Sequence, residues 1–186
     1  MADTQYLALL RGINVGGNNI IKMADIKTCF ENMGFSNVLT YIQSGNVIFK
    51  SAEKDKAKLT RKIEATLSEK FCYESRLVVI THKQLAQVVD DAPRGLGKNP
   101  DEYRYDVVFL KEPLTSTEAM KSVSIKEGID KAYTGKDVLY FSRLVSRATQ
   151  SRLPRIAGLP VYQNMTIRNW NTTTKLLALM EKGNNT

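Results

Sequence analysis

The stretch from Tyr6 to Lys22, YLALLRGINVGGNNIIK, decides how the fold is read. Leu7, Ala8, Leu9 and Leu10 form an apolar run that breaks at Arg11 and passes into a loop holding Gly12, Gly16 and Gly17 among Asn14, Asn18 and Asn19. A run that is apolar at every position, and not at every second one, reads as a strand buried on both faces. Clustered glycines mark a backbone that turns tightly or comes close to something. Met23, Ile26, Phe30 and Met33 then recur at helical spacing, and Gly34 suits a helix stop. Strand, glycine loop and helix follow in that order.

Working outward, Asn37 to Lys50 shows two β-rich runs around Ser44-Gly45-Asn46, the pattern of an antiparallel hairpin. Leu59, Ile63 and Leu67 repeat every four residues between Asp55 and Phe71, which predicts an amphipathic helix, and Arg76 to Thr81 is a fourth strand. Thr81 with Gln84 has the spacing of a capping box opening a helix to about Asp91. The breaker-rich Pro93 to Pro100 reads as a linker. Beyond it come a strand at Tyr103 to Leu110, a capped short helix at Thr115 and Glu118, and a hairpin of Ile129 to Thr134 and Val138 to Ser142. A helix at Ser151 to Ile156 interrupted by Pro154, a strand within Val161 to Arg168, and a last helix capped by Asn171 or Thr172 follow. Both halves therefore read β-α-β-β-α-β. The expected fold is α+β, two ferredoxin-like halves with antiparallel sheets and additional helices: residues 1–92, a linker at 93–101, and residues 102–186 with a basic segment at 143–155.

Composition narrows the function classes. With 186 residues and 42% apolar content the chain can bury a sizeable core. It contains no run of 18 apolar residues, and a polar start replaces the basic-then-apolar opening of a secretory signal, so a membrane partner is not expected and the expected location is the cytoplasm. Cys29, Cys72 and the single His82 are too few for a disulfide framework or a zinc site, so neither metal nor cofactor is expected; both cysteines are expected to act as small buried groups and His82 to be exposed in a helix's first turn. The net charge of +8 is uneven: between Asp137 and Glu181 there is no acid, while Arg143, Arg147, Arg152, Arg155, Arg168 and Lys175 fall in that interval.

Three segments, Arg11-Gly12-Ile13-Asn14-Val15-Gly16-Gly17, Tyr41-Ile42-Gln43-Ser44-Gly45-Asn46-Val47-Ile48-Phe49 and Arg168-Asn169-Trp170-Asn171-Thr172 followed by Lys175-Leu176, together resemble the bacterial domain-of-unknown-function family numbered 1697. The resemblance covers nearly the whole chain. It implies a cytoplasmic α+β protein of two ferredoxin-related halves, with no activity assigned to the family.

Two kinds of site can be drawn from the residues. Backbone N–H groups of the glycine loop, with Arg11, Asn14, Gly16, Gly17, Gln43, Ser44, Asn46, Arg168 and Asn169, would suit a small phosphate or carboxylate in a cleft between the halves. The competing reading makes the glycines turn-formers, Ser44 a turn residue, Arg168 a tie to backbone carbonyls and Trp170 a core residue. Alternatively Arg143, Arg147, Arg152 and Arg155 form a basic face for weak, salt-dependent nucleic-acid binding, or a solvated surface. The strand Gly45 to Phe49 lacks the aromatic pattern of sheet-based RNA readers. An enzyme acting on a phosphorylated or carboxylate substrate is the third reading, although the residues name no acid–base pair.

Overall fold

The computed structural model describes residues 3–14 and 19–183. The chain divides into two compact units, residues 1–85 with 179–186, and residues 86–178. Residues 93–101, read from the sequence as a linker, form a run of turns inside the second unit.

In the first unit β1 (Thr4–Arg11), α1 (Met23–Asn32), β2 (Ser36–Tyr41), β3 (Asn46–Ser51), α2 (Lys56–Phe71) and β4 (Arg76–Thr81) build an antiparallel sheet of order β2-β3-β1-β4. That order is the ferredoxin-like one. The register aligns Tyr6 with Phe49 and Thr81, and Ala8 with Val47 and Val79. Tyr6, Ala8 and Leu10 therefore share the face covered by Ile26, Cys29 and Phe30 of α1 and Leu59, Ile63 and Leu67 of α2. The alternate residues Leu7 and Leu9 are also wholly buried, so the uninterrupted apolar run does mark a strand buried on both faces. Phe35 and Phe30 pack on Phe49 at 4.6 and 5.4 Å between ring centres, anchoring α1 to the central strand. Asp55 caps α2 by accepting the Lys58 amide at 3.0 Å.

α3 (His82–Asp90) follows β4 directly, and the Thr81–Gln84 box forms as its spacing predicts: Gln84 Oε1 accepts the Thr81 amide at 3.0 Å and Thr81 Oγ1 accepts the Gln84 amide at 3.2 Å. His82 is the first residue of α3 but is half-buried, its Nε2 out of contact with water, because α3 begins with no turn after the strand. Cys29 is buried, and burial raises its thiol pKa; Cys72 is exposed, since α2 ends at Phe71 and Cys72 takes the left-handed capping conformation beyond it.

The second unit carries β5 (Tyr103–Leu110), α4 (Ser116–Lys121), β6 (Asp130–Thr134), β7 (Val138–Leu144) and β8 (Met165–Asn169), followed by α5 (Trp170–Lys182), whose last turns belong to the first unit. Its sheet order, β6-β7-β5-β8, repeats the first. The Thr115–Glu118 capping box opens α4. One sheet face, with Val108, Leu110, Leu139, Phe141 and Met165, packs against Ala119, Leu153 and Ile156. Where a second helix was expected from Ser151 to Ile156, the chain instead makes three 3-10 helical turns, Val145–Gln150, Leu153–Gly158 and Pro160–Asn164. Pro154, Gly158 and Pro160 prevent a continuous α-helix there. The last helix also starts earlier than expected: Asn169, not Asn171 or Thr172, is the cap, its Oδ1 accepting the Thr172 amide at 2.7 Å. No helix among the described residues is long and apolar enough to cross a membrane.

Candidate functional site

Of the residues expected to bind a ligand, Arg11, Asn14, Gln43, Ser44 and Asn46 come together at one end of the first sheet. Asn14, at φ 53°, accepts the Ile21 amide on Oδ1 at 2.8 Å and donates from Nδ2 to the Ile21 and Gln43 carbonyls, each at 2.9 Å. Asn46 is fully buried and donates from Nδ2 to the Tyr41 carbonyl and to Ser44 Oγ. Asparagines satisfying buried backbone in this way hold a loop to a hairpin. Gly45 completes the junction: at φ 77° its Cα sits so close that a Cβ would fall 2.7 Å from the Leu10 Cβ. Arg11, half-buried at the end of β1, lies opposite Arg76 in the ladder. Gly16 and Gly17 lie outside the described residues.

Arg168 and Asn169 belong to the second unit. Asn169 is engaged as the α5 cap. Arg168, 7% exposed, lies opposite Val107 and donates from Nη1 to the Ile167 carbonyl at 2.8 Å. Burial pulls its guanidinium pKa down to about 10, which still leaves it charged at neutral pH. Trp170, next in the chain, packs on Gly97: a side chain at Gly97, itself at φ 78°, would run into the indole. The Arg-Asn-Trp motif thus joins β8 and the α5 start to the turns at 93–101.

The four arginines of the basic segment have unlike settings. Arg143 is half-buried on β7, aligned with Arg104 on one side and Asp130 on the other. Asp130, 4% exposed, accepts the Lys126 and Arg152 amides at 2.9 and 2.8 Å and so pins the 3-10 segment to β6. Arg147 and Arg155 are exposed, Arg147 donating to Gln150 Oε1 at 2.9 Å.

A groove that no sequence motif announced lies within the second unit. Its cavity, about 280 Å³, is lined by Tyr103 and Tyr105 from β5, Ser142 from β7, Lys131 and Tyr133 from β6, and the turns from Pro93 to Asn99 with Arg94. The ladder aligns Lys131, Ser142 and Tyr105 in one row across three strands, so the small serine floors a gap between larger side chains. The Tyr103 and Tyr105 rings stand 6.1 Å apart, and Lys131 Nζ lies 5.8 Å from the Tyr103 ring centre, a cation over an aromatic face. Glu102 is a carboxylate in the lining. The Leu96 amide donates to the Pro93 carbonyl at 2.9 Å and the Tyr103 amide to Asn99 at 2.9 Å, which shapes the turns, and Trp170 backs them at Gly97. The alternation Tyr103, Tyr105 along one strand and Lys131, Tyr133 along another was the available signal, since period-two residues share a sheet face. Among the described residues, no group of three or more His, Cys, Asp or Glu side chains is placed to hold a metal ion.

A family model described as a protein of unknown function (DUF1697) matches residues 4–140, which takes in the first two sequence motifs and the groove's β5 and β6 residues but stops short of the Arg-Asn-Trp motif. No curated protein matches the chain. A solved structure, that of the conserved bacterial protein SP0830 from Streptococcus pneumoniae, is similar over 95% of this chain and 98% of its own, with a TM-score of 0.78 and 26% sequence identity.

Proposed function

The chain belongs to the DUF1697 family, and from that premise we propose that it binds a small anionic ligand, a phosphate or a carboxylate, in the groove of its second unit. The observation that carries this reading is the row Lys131–Ser142–Tyr105: a cation and an aromatic wall flank a small floor in a formed concavity, with Arg94 also in the lining. A few polar groups in a shaped cavity are what a small-ligand site requires. The first-unit asparagines are weaker candidates because their side chains already hold backbone groups. In this reading the protein works in the bacterial cytoplasm, in keeping with a chain of two cysteines and a bacterial structural relative.

Binding to the native state raises the melting temperature. Thermal denaturation of the wild type with millimolar inorganic phosphate, ribose 5-phosphate or citrate, at two salt concentrations, should show a rise with at least one anion that survives added salt. Lys131→Ala and Arg94→Ala should reduce that rise. An equal rise in the double variant would remove the groove from the account.

Weak nucleic-acid binding through the basic segment is favoured by one observation, the exposure of Arg147 and Arg155. Replacing both by glutamine should lower the slope of log affinity against log salt by about two if each contacts a phosphate; an unchanged slope would exclude it.

A further inference from the structure

We infer that the open edge of β6 is a docking site for an extended acidic peptide, which joins the second sheet there as an added strand. This goes beyond the anion site and does not depend on it. β6 is the outer strand of the order β6-β7-β5-β8. The Leu144 amide donates to the Ile129 carbonyl at 3.0 Å and the Gly135 amide to the Val138 carbonyl at 2.9 Å, and the register between these bonds pairs Lys131 with Ser142 and Tyr133 with Tyr140. An antiparallel ladder bonds every second residue, so Lys131 and Tyr133 turn their backbone groups to β7 while Ala132 and Thr134 turn theirs away from the sheet. Neither Ala132 nor Thr134 has a hydrogen-bond partner among the described residues. Lys131, Tyr133 and Thr134 are exposed, which leaves the edge open to solvent. The corresponding strand of the first unit differs: β2 is also outermost, but its ladder to β3 shifts register between Ser36 and Leu39, and Asn37 takes a φ of 52° there. Such irregularities keep a strand from accepting a neighbour, whereas β6 holds its register from Asp130 to Thr134.

The side chains define the occupant. Lys131 and Tyr133 lie on one sheet face, so in an antiparallel added strand the residue opposite Tyr133 comes two before the residue opposite Lys131. A β-branched residue suits the first position and a carboxylate the second, because cross-strand pairs of those kinds are favourable. Lys131 has no carboxylate partner among the described residues and rests instead against the Tyr103 ring. Arg94 and Lys131 outnumber Glu102 in the adjoining groove, so the local potential is positive. Backbone bonds to Ala132 and Thr134 then supply affinity and the two side-chain positions supply selectivity, the usual division when a peptide extends a sheet. A second copy of this chain is the less fitting occupant, because an edge lysine guards against self-pairing and each copy carries a net charge of +8.

Nuclear magnetic resonance titration of the isotopically labelled full chain with the blocked peptide acetyl-Thr-Val-Thr-Glu-Thr-amide tests this. The expected result is saturable shifts of the Ala132 and Thr134 amides, with binding about threefold or more weaker when lysine replaces the peptide's glutamate, as cross-strand charge pairs imply. Thr134→Pro removes an outward donor that the β6–β7 ladder does not use, so it should abolish binding while the melting temperature stays near that of the wild type. Lys131→Glu should reverse the preference between the two peptides, a reversal that a merely damaged fold does not produce. Shifts at Tyr105 and Ser142 with Ala132 and Thr134 unmoved would overturn the inference in favour of a carboxylate entering the groove. No shift with either peptide would overturn it outright. Self-association of the wild type in sedimentation, lost in Thr134→Pro, would overturn it in favour of a second copy.

Discussion

The two sheets share one order, yet the second crossover that covers each is built by different means. In the first unit it is α2, a 16-residue helix that delivers Leu59, Ile63 and Leu67 at four-residue spacing to the sheet. In the second it is three 3-10 turns between Val145 and Asn164, which deliver Leu153 and Ile156 and are fastened by the Asp130 carboxylate to the Arg152 amide. Strand pairing and apolar alternation therefore set the ferredoxin-like order, and the crossover has only to bring apolar side chains over one face. The comparison extends to the sheet ends. In the first unit polar side chains lock a loop onto a hairpin, whereas in the second aromatic and charged side chains line an open groove.

The sharpest way to break this comparison is to cut each crossover at its anchor. Ile63→Ala, at a wholly buried site in α2, should cost about 2–5 kcal/mol in urea denaturation. Asp130→Ala should cost about 2–4 kcal/mol, because two backbone N–H groups lose their acceptor in a buried place, while Asp130→Asn keeps an acceptor and should cost markedly less. Equal losses for the alanine and asparagine variants would mean that the 3-10 segment is held by packing, as α2 is.

A smaller effect reports on β7. Tyr140 is buried and donates its hydroxyl proton to the Val88 carbonyl at 2.7 Å, so Tyr140→Phe should cost about 1 kcal/mol at neutral pH. Burial raises the phenol from 10.0 to about 12. The unfolded chain then gives up this proton at lower pH than the folded one, and the tyrosine's contribution, intact below pH 10, is lost as pH rises toward 12. The wild type's advantage over Tyr140→Phe should accordingly shrink across that window. Arg168, lowered to about 10, contributes with the opposite sign but equally in both proteins, so it cancels in the difference.

Much of the architecture was legible because it rests on periodicity and turn chemistry. The strands at 76–81 and 103–110 and both capping boxes stand where runs of β-branched and aromatic residues and Thr-x-x-Gln or Thr-x-x-Glu spacing put them. The 3-10 crossover was less legible: Leu153 and Ile156 are three apart, as in a helix, and only the prolines and Asp130, distant in sequence, decide otherwise. The α5 cap was misread because Asn169 also ends a strand, and several neighbouring polar residues offer the same chemistry. The groove was legible only as a shared face along each single strand, Tyr103 with Tyr105 and Lys131 with Tyr133. Tyr105, Ser142 and Lys131 become neighbours only through the β6-β7-β5 register, which single-strand patterns do not contain.

Hydrogen–deuterium exchange of the full chain, with and without saturating ribose 5-phosphate and in parallel with citrate, tests the ligand claim most directly because it compares the two units in one experiment. The account predicts slowed exchange in the turns at 93–103 and in β6 and β7 around 131–133 and 142, with the first-unit loop and hairpin at 11–14 and 42–46 unchanged. Protection at the first-unit loop and hairpin, or no protection with either compound, would contradict it.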